Sequence, residues 1–306
     1  MKKHSKILFT IDHKHRDLPA LSLIGYFLES LNYIIEYVSV PNLRKELKSF
    51  NPDYVVLPRT TYLIPGAMLR KGDLDNNKTI IIENEGNLQG KHYFDINYFP
   101  DLMFFWGKEN YRRSRDKLKY QDTIVKIMGN PRTDFLHPSF YDMRPGKSNI
   151  LNKFDLNNEK KTITFATAIT TGDLSNNSMD SLDKLYQKEL VDKKPIIRKH
   201  HLEAKISFGI SMSVIKLLTT KFQNCNIVLK PHPNEDVRKW LSFENELNAG
   251  NFKLFMGESI ETLLSISDLH IANNACSTIY ESMMRSIPTV EILTDGAYDL
   301  FEPDHL

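Results

Sequence analysis

The sequence predicts an α/β protein made of two parallel-sheet domains in series. Three observations carry that prediction. Short runs that are apolar almost throughout recur along the chain, each separated from the next by a helical or polar stretch. Strands of a parallel sheet covered on both faces read this way. The alternation breaks once, in a polar stretch bearing Pro, Gly and Asn from about Pro138 to Lys161, and then resumes. The length of 306 residues also suits two domains of ordinary size. The expected division is a first domain over 1–140, a linker over 141–160 and a second domain over 161–306.

In the first domain KILFTID (6–12) reads as a buried strand. LPALSLIGYFLESLN (18–32) has helical apolar spacing, with Pro19 tolerated in the first turn. YIIEYVSV (33–40) is a strand, PNLRKELKSF (41–50) a short helix opened by proline, and DYVVLPR (53–59) a third strand. KTIIIENEG (78–86) is a strand ending in a polar cluster, and LMFFWG (102–107) is a fifth. KENYRRSRDKLKY (108–120) is a polar helix and TIVKIMG (123–129) a sixth strand. In the second domain the strands are TITFATAI (162–169), NIVLK (226–230), KLFMG (253–257), DLHIANN (268–274) and PTVEIL (288–293). The helices are AKISFGISMSVIKLLTTKFQN (204–224), SIETLLSIS (259–267) and STIYESMMRS (277–286). There is no internal repeat and no low-complexity tract.

Composition narrows the function classes. Lys and Arg number 40 against 38 Asp and Glu, so the basic excess of a nucleic-acid binder is missing. Hydrophobic residues at 41% and charged residues at 25% suit a globular protein. Cys225 and Cys276 stand far apart and outside any CxxC pattern, which reads as two reduced thiols. Two lysines ahead of an apolar run imitate a signal peptide, but ILFTI before Asp12 is too short for one. No stretch approaches the ~20 apolar residues that span a bilayer. The expected location is cytoplasmic.

Ligands of open α/β sheets bind beyond the carboxyl ends of the strands, so residues that follow strands are the candidates. His13, His15 and Arg16 follow the first strand and suit an anionic group of a donor or acceptor, or a plain solvated loop. Two histidines at i, i+2 without a third ligand nearby do not make a metal site. ENEG follows the fourth strand. Its carboxylates Glu83 and Glu85 leave on one face, where one could act as a general base, or both could simply be solvated at a turn. In NIVLKPHPNED (226–236), Pro231 and Pro233 end the strand and stiffen the backbone around His232. A histidine there can donate to a phosphate oxygen. Lys230 can neutralise the same charge or be a solvated strand-end lysine. Thr170 and Thr171 follow the first strand of the second domain. Asn274 closes the strand ahead of Ser277 and Thr278, at a helix start suited to an anion. Thr278 and Glu281 also have the spacing of a capping box, which needs no ligand.

At these residues the chain resembles the GT-B glycosyltransferases of bacterial surface and capsular polysaccharide synthesis, in particular the surface carbohydrate biosynthesis proteins. It is similar in pattern to bacterial sialyltransferases, β-Kdo transferases and CDP-glycerol glycerophosphotransferases. Those families share a D/E-D/E-G motif, an HP motif and a later Ser/Thr motif, matched here by Asn84-Glu85-Gly86, His232-Pro233 and Ser277-Thr278. GNPRTD (129–134) resembles the segment that closes the first domain in several GT-B families. The motif order covers nearly the whole chain, though each motif is short. Asn84 departs from the acidic pattern, so Glu83 or Glu85 takes the base role. A GT-B second domain normally continues past the equivalent of PTVEIL, so its C-terminal helices are expected to be absent here.

The resemblance implies two Rossmann-like domains facing across a cleft, the first (1–140) for the acceptor and the second (161–306) for the nucleotide donor, and an inverting, metal-independent sugar transfer with no cofactor beyond the nucleotide-sugar donor, expected to be a CMP-sugar. Glu85 or Glu83 would deprotonate the acceptor. His232, with Lys230, Pro233, Thr170, Thr171, Asn274, Ser277 and Thr278, would hold the donor phosphate, and Glu281 would reach a ribose hydroxyl. The implied partners are the donor and a glycan or lipid-linked glycan acceptor, not nucleic acid. A lipid-linked acceptor would bring the protein to the inner face of the membrane. The alternatives are a CDP-glycerol-type glycerophosphotransferase, a UDP-sugar epimerase on the same fold, and a non-catalytic nucleotide-sugar-binding scaffold.

Overall fold

The structure, a computed structural model, describes residues 4–58, 72–82, 100–108, 111–112, 122–135, 139–140, 145–169, 194–233, 235–273 and 276–293. The chain divides into two compact units, Met1–Tyr141 and Asp142–Leu306.

The first unit holds β1 (Lys6–Ile11), β2 (Ile34–Ser39), β3 (Tyr54–Leu57), β4 (Lys78–Ile82), β5 (Leu102–Phe105) and β6 (Ile124–Ile127). They form one sheet in the order β2-β1-β3-β4-β5-β6, parallel at every pairing. The continuous apolar runs are explained by a core on each face. Leu8, Val55, Ile81 and Met103 are buried in one cluster, while Ile7, Phe9, Ile11 and Val56 join Leu21 in another. The sheet's rim departs from that rule. β6 exposes Ile124 and Ile127, and β2 alternates between covered and exposed positions.

Helix α1 (Lys14–Ser30) starts one turn earlier than its apolar spacing suggests. The reason is Asp17, whose buried carboxylate accepts from the backbone N–H groups of His13 at 2.7 Å and Asp12 at 3.1 Å. These are donors that a helix start leaves without intrahelical partners. Asp17 therefore sets the helix start, and Pro19 falls in the second turn. Further along α1, a Cβ on Gly25 would lie 1.9 Å from the Tyr37 hydroxyl oxygen. The Tyr37 ring is stacked on Phe9 at 5.6 Å, so it cannot swing away cheaply. Gly25→Ala gains about 1 kcal/mol of helix propensity but overpacks by about 1–3 kcal/mol. A net loss of stability is expected in urea unfolding.

Helix α2 (Leu43–Phe50) buries Leu43 and Leu47 against the sheet. Helix α3 (Pro131–Asp134) is a single turn, capped by Asn130 Oδ1 accepting from the Arg132 N–H at 3.0 Å, with proline in its first turn. It packs on α1. The helix expected over 108–120 lies mostly outside the described residues.

The second unit holds β7 (Lys161–Ala166), β8 (Cys225–Lys230), β9 (Phe252–Leu254), β10 (Leu269–Asn273) and β11 (Thr289–Ile292), parallel in the order β11-β10-β7-β8-β9. Its helices are α4 (Lys147–Lys153), α5 (Lys194–Lys221), α6 (Val237–Leu247), α7 (Ile260–Leu264) and α8 (Thr278–Met284). Strand β8 is buried along its whole length. On one face Ile227 and Leu229 join Ile215, Trp240 and Phe243. On the other, Val228 joins Ile150, Leu151, Phe154 and Leu156. This second cluster corrects the expected linker. Much of 141–160 is α4 and the turn after it, packed into the second unit, with the Phe154 ring 4.6 Å from Phe255. Among the described residues 145–160 the polar side chains lie at the surface, and Ile150, Leu151, Phe154 and Leu156 are too sparse to read as a helix. Helix α5 begins ten residues before the expected 204. Cys225 and Cys276 are buried and not joined in a disulfide. Among the described residues no helix is long and apolar enough to cross a membrane.

Candidate functional site

In the second sheet β8 and β9 lie on one side of β7 and β10 and β11 on the other. The strand order reverses between β7 and β10, where such sheets open a ligand crevice at their carboxyl edge. The loops after β10, β7 and β8 are therefore neighbours, and they carry most of the residues singled out from the sequence.

A buried carboxylate ties two of these loops together. Glu235 is 6% exposed. It accepts from the Thr167 hydroxyl, the Ile169 N–H and the Trp240 indole N–H, each at 2.8 Å, and from the His232 N–H at 3.2 Å. The Glu235 N–H in turn donates to the His232 carbonyl at 3.0 Å, closing a turn with Pro233 at its second position. Burial pushes the Glu235 carboxyl above the ordinary range, against the downward pull of its donors. The backbone around His232 is thus fixed to the loop after β7 and to α6. The His232 ring is partly exposed.

The loop after β10 is tied in the same manner. Asn273, buried at the end of β10, accepts from the Ala168 N–H at 2.9 Å and donates to Ser211 on α5 at 3.1 Å. Lys230 is buried rather than solvated at 9% exposure, and its ammonium donates to the Pro231 carbonyl at 3.3 Å. Burial lowers its pKa, with Glu258, Glu235 and Glu261 pulling it back.

The start of α8 differs from the capping box suggested by its spacing. Ser277 is the residue before the helix, half-buried, with no side-chain capping bond. Thr278 is the first helical residue, and its hydroxyl turns inward, donating to Cys276 Sγ at 3.3 Å and meeting His270 Nε2 at 2.9 Å. Its hydroxyl is thus committed to the interior. Glu281 is buried in the first turn of α8.

His270 is fully buried in β10, and burial lowers its pKa to about 4 from an ordinary 6.5. The unfolded chain therefore takes up this proton first as the pH falls. The stability that follows is present above pH 6.5 and is lost between there and pH 4. The loss for this one group is roughly 3 kcal/mol. A pH series of melting temperatures is expected to fall more steeply below pH 6.5 in the wild type than in His270→Gln.

In the first unit His13, His15 and Arg16 do not form a loop as expected. His13 precedes α1, and His15 and Arg16 lie in its first turn, because Asp17 starts the helix there. His15 is exposed, and its ring stands 6.0 Å from that of His13. Burial, then Arg16, lowers the His13 pKa, which favours the neutral ring. Arg16 is held by Asp17 at 2.7 Å and Asp12 at 2.8 Å. Glu83, Glu85, Thr170, Thr171 and Asn274 lie outside the described residues. Among the described residues no group of three or more His, Cys, Asp or Glu is placed to hold a metal ion.

Sequence reasoning missed Glu235, Asn273 and Asp17. The signal for Glu235 was present: an acid two residues after Pro233 and five before a tryptophan, in a stretch otherwise read for its histidine.

No protein-family model matches the chain, and no curated protein matches its sequence. Solved structures do resemble it. A structure of the wall teichoic acid polymerase TagF gives a TM-score of 0.57 at 14% identity, over 93% of this chain and 69% of that one. A TagF variant soaked with CDPG gives 0.55 at 15% identity, over 99% and 72%. The UDP-N-acetylglucosamine 2-epimerase from Rickettsia bellii gives 0.53 at 12% identity, over 94% and 78%. The likeness shows the fold: two parallel-sheet, Rossmann-like domains in series, of the GT-B type.

Proposed function

We propose that the chain is an inverting, metal-independent glycosyltransferase that takes its sugar from a nucleotide donor, a CMP-sugar in the first instance, for surface polysaccharide synthesis. The observation that supports this most is the carboxyl edge of the second sheet. There His232 and Ser277 flank a strand-order reversal, and Glu235 and Asn273 fix the loops that carry them.

In this reading the acceptor hydroxyl attacks the anomeric carbon as its proton passes to Glu85 or Glu83. The bond from that carbon to the phosphate oxygen breaks, and the nucleotide leaves with the electron pair. His232 hydrogen-bonds the leaving phosphate, where charge develops and fixed donors lower the barrier. Ser277 and the backbone at the start of α8 hold the same phosphate, with Thr170, Thr171 and Asn274 as further contacts and Glu281 for the ribose. Lys230 acts from its buried position through its charge, and Pro233 by stiffening the turn. The acceptor is a glycan or a lipid-linked glycan, and a lipid-linked one would hold the protein at a membrane face.

The second reading is glycerophosphate transfer from a CDP-glycerol donor, favoured by the likeness to TagF, a wall teichoic acid polymerase with a variant soaked with CDPG. The same loops would then serve attack at phosphorus. Incubation with labelled CMP-sugars, UDP-sugars and CDP-glycerol separates the readings. A phosphate-free glycosylated product, lost in Glu85→Ala or Glu83→Ala, is the expected result. A phosphate-bearing product selects the second reading. Interconversion of a UDP-sugar without acceptor selects an epimerase. Nucleotide binding without turnover of any donor makes the chain a scaffold and overturns the proposal.

A further inference from the structure

Helix α1 is apolar nearly all round. Its inner side sets Leu18, Leu21, Ile24 and Leu28 against the sheet. Its solvent side carries Pro19, Leu23, Tyr26 and Phe27, spaced i, i+4, i+7 and i+8 and therefore on one face. Tyr26 is 67% exposed, Phe27 59%, and Leu31, one turn further on, 66%. The Tyr26 and Phe27 rings meet edge to face at 5.8 Å. A helix that is apolar on both sides is ordinarily covered on both, and an exposed apolar patch of this size marks an interaction surface. The charges lie at the ends of the face. Lys14 and His15 stand exposed in the first turn and Glu29 in the last. No Lys or Arg occurs between Arg16 and Arg44.

We infer that this face pairs with the same face of a second copy of the chain, the two α1 helices running antiparallel about a twofold axis near Leu23. Three features select that occupant. Residues equally far from the axis meet across it, so Tyr26 and Phe27 of one copy lie on Pro19 and Leu23 of the other. The same symmetry brings Glu29 of one copy to the Lys14 and His15 end of the other, twice over, and sets the helix dipoles in their attractive arrangement. Parallel pairing would put like charges side by side. A membrane surface fits less well. A helix lying in one flanks its apolar face with Lys and Arg, whereas here basic residues are missing along the face and Glu29 and Glu36 are exposed. The area suits a reversible dimer. At about 200 Å² for a fully exposed side chain of this size, Tyr26, Phe27 and Leu31 offer about 400 Å² per copy. With Pro19, Leu23 and the polar ends added, a pair reaches about the 1,000 Å² at which specific interfaces begin. The expected Kd is on the order of 10 μM. The pairing also brings Glu29 of the second copy beside His15, one of the strand-end candidates of the first unit, but it does not depend on the transfer reading above.

The test is sedimentation velocity on the full chain over a concentration series that spans this Kd. The expected result is a monomer at low concentration passing to a dimer at high concentration. Phe27→Glu places a charge in the middle of the face and should weaken the dimer at least tenfold. Phe27 is exposed, so the melting temperature of the dilute protein should hold in this variant. Glu29→Lys should weaken the dimer roughly fivefold. Adding Lys14→Glu and His15→Glu to Glu29→Lys should restore it, because the antiparallel charges then match again with their signs exchanged. The inference is overturned if the chain stays monomeric at every concentration, if Phe27→Glu leaves a dimer intact, or if the exchanged charges restore nothing. Flotation with phosphatidylcholine and phosphatidylglycerol vesicles tests the competing occupant. Vesicle binding by a monomer, lost in Phe27→Glu, assigns the face to lipid and likewise overturns the pairing.

Discussion

Glu235→Leu is expected to lower the unfolding free energy by about 4 kcal/mol and to abolish nucleotide binding. The substitution leaves four donors without an acceptor: the Thr167 hydroxyl, the Ile169 and His232 N–H groups, and the Trp240 indole. Each buried orphan costs about 1–3 kcal/mol if nothing relaxes. Part of the loop is near the surface and water can reach it, so the four do not add in full. A loss of about 4 kcal/mol is still a large share of the 5–15 kcal/mol that holds a typical domain. Glu235→Gln keeps one acceptor oxygen but turns an amide N–H₂ toward donors, so about half that loss is expected. Urea unfolding gives the free energies, and nucleotide titration at low denaturant shows whether the folded fraction still binds. A leucine variant as stable as the wild type would mean the carboxylate does not organise these loops.

His232→Ala is expected to lower kcat by about 10²–10³-fold, the usual effect of removing one fixed donor from a developing negative charge. Glu235 holds the backbone of this turn independently of the ring, so the variant should fold with little change in melting temperature. His232→Asn, which keeps a donor, should recover part of the rate. A drop in rate that follows the melting temperature instead would assign the histidine to structure. Rates across donor concentrations with wild type and both variants, alongside thermal melts, make the distinction.

Much of the fold was legible because apolar runs and the helical stretches between them report directly on parallel sheets. All eleven strands coincide with runs picked out by their apolar residues, though β7, β8 and β9 each begin one residue earlier than expected. The misjudged elements include the starts of α1 and α5 and the whole of α4 and α6. Asp17 moves the start of α1 by reaching back to two N–H groups, and α4 with the turn after it hides four buried side chains in polar sequence. The site was partly legible. His232 follows β8, and Ser277 and Thr278 follow β10, as strand-end reasoning requires. The inward turn of the Thr278 hydroxyl depends on His270, eight residues upstream, which no local spacing shows. The Glu235 bonds span as many as 68 residues to Thr167, a distance over which sequence alone carries no pattern.

The central claim is that the carboxyl edge of the second sheet holds a nucleotide phosphate through His232. Calorimetric titration of CMP, CDP, UMP, UDP and GDP into the wild type and His232→Ala tests it most directly. The account predicts binding selective for a cytidine nucleotide in the wild type, lost or weakened at least tenfold in the variant. Binding of no nucleotide, or binding that His232→Ala leaves unchanged, would contradict it.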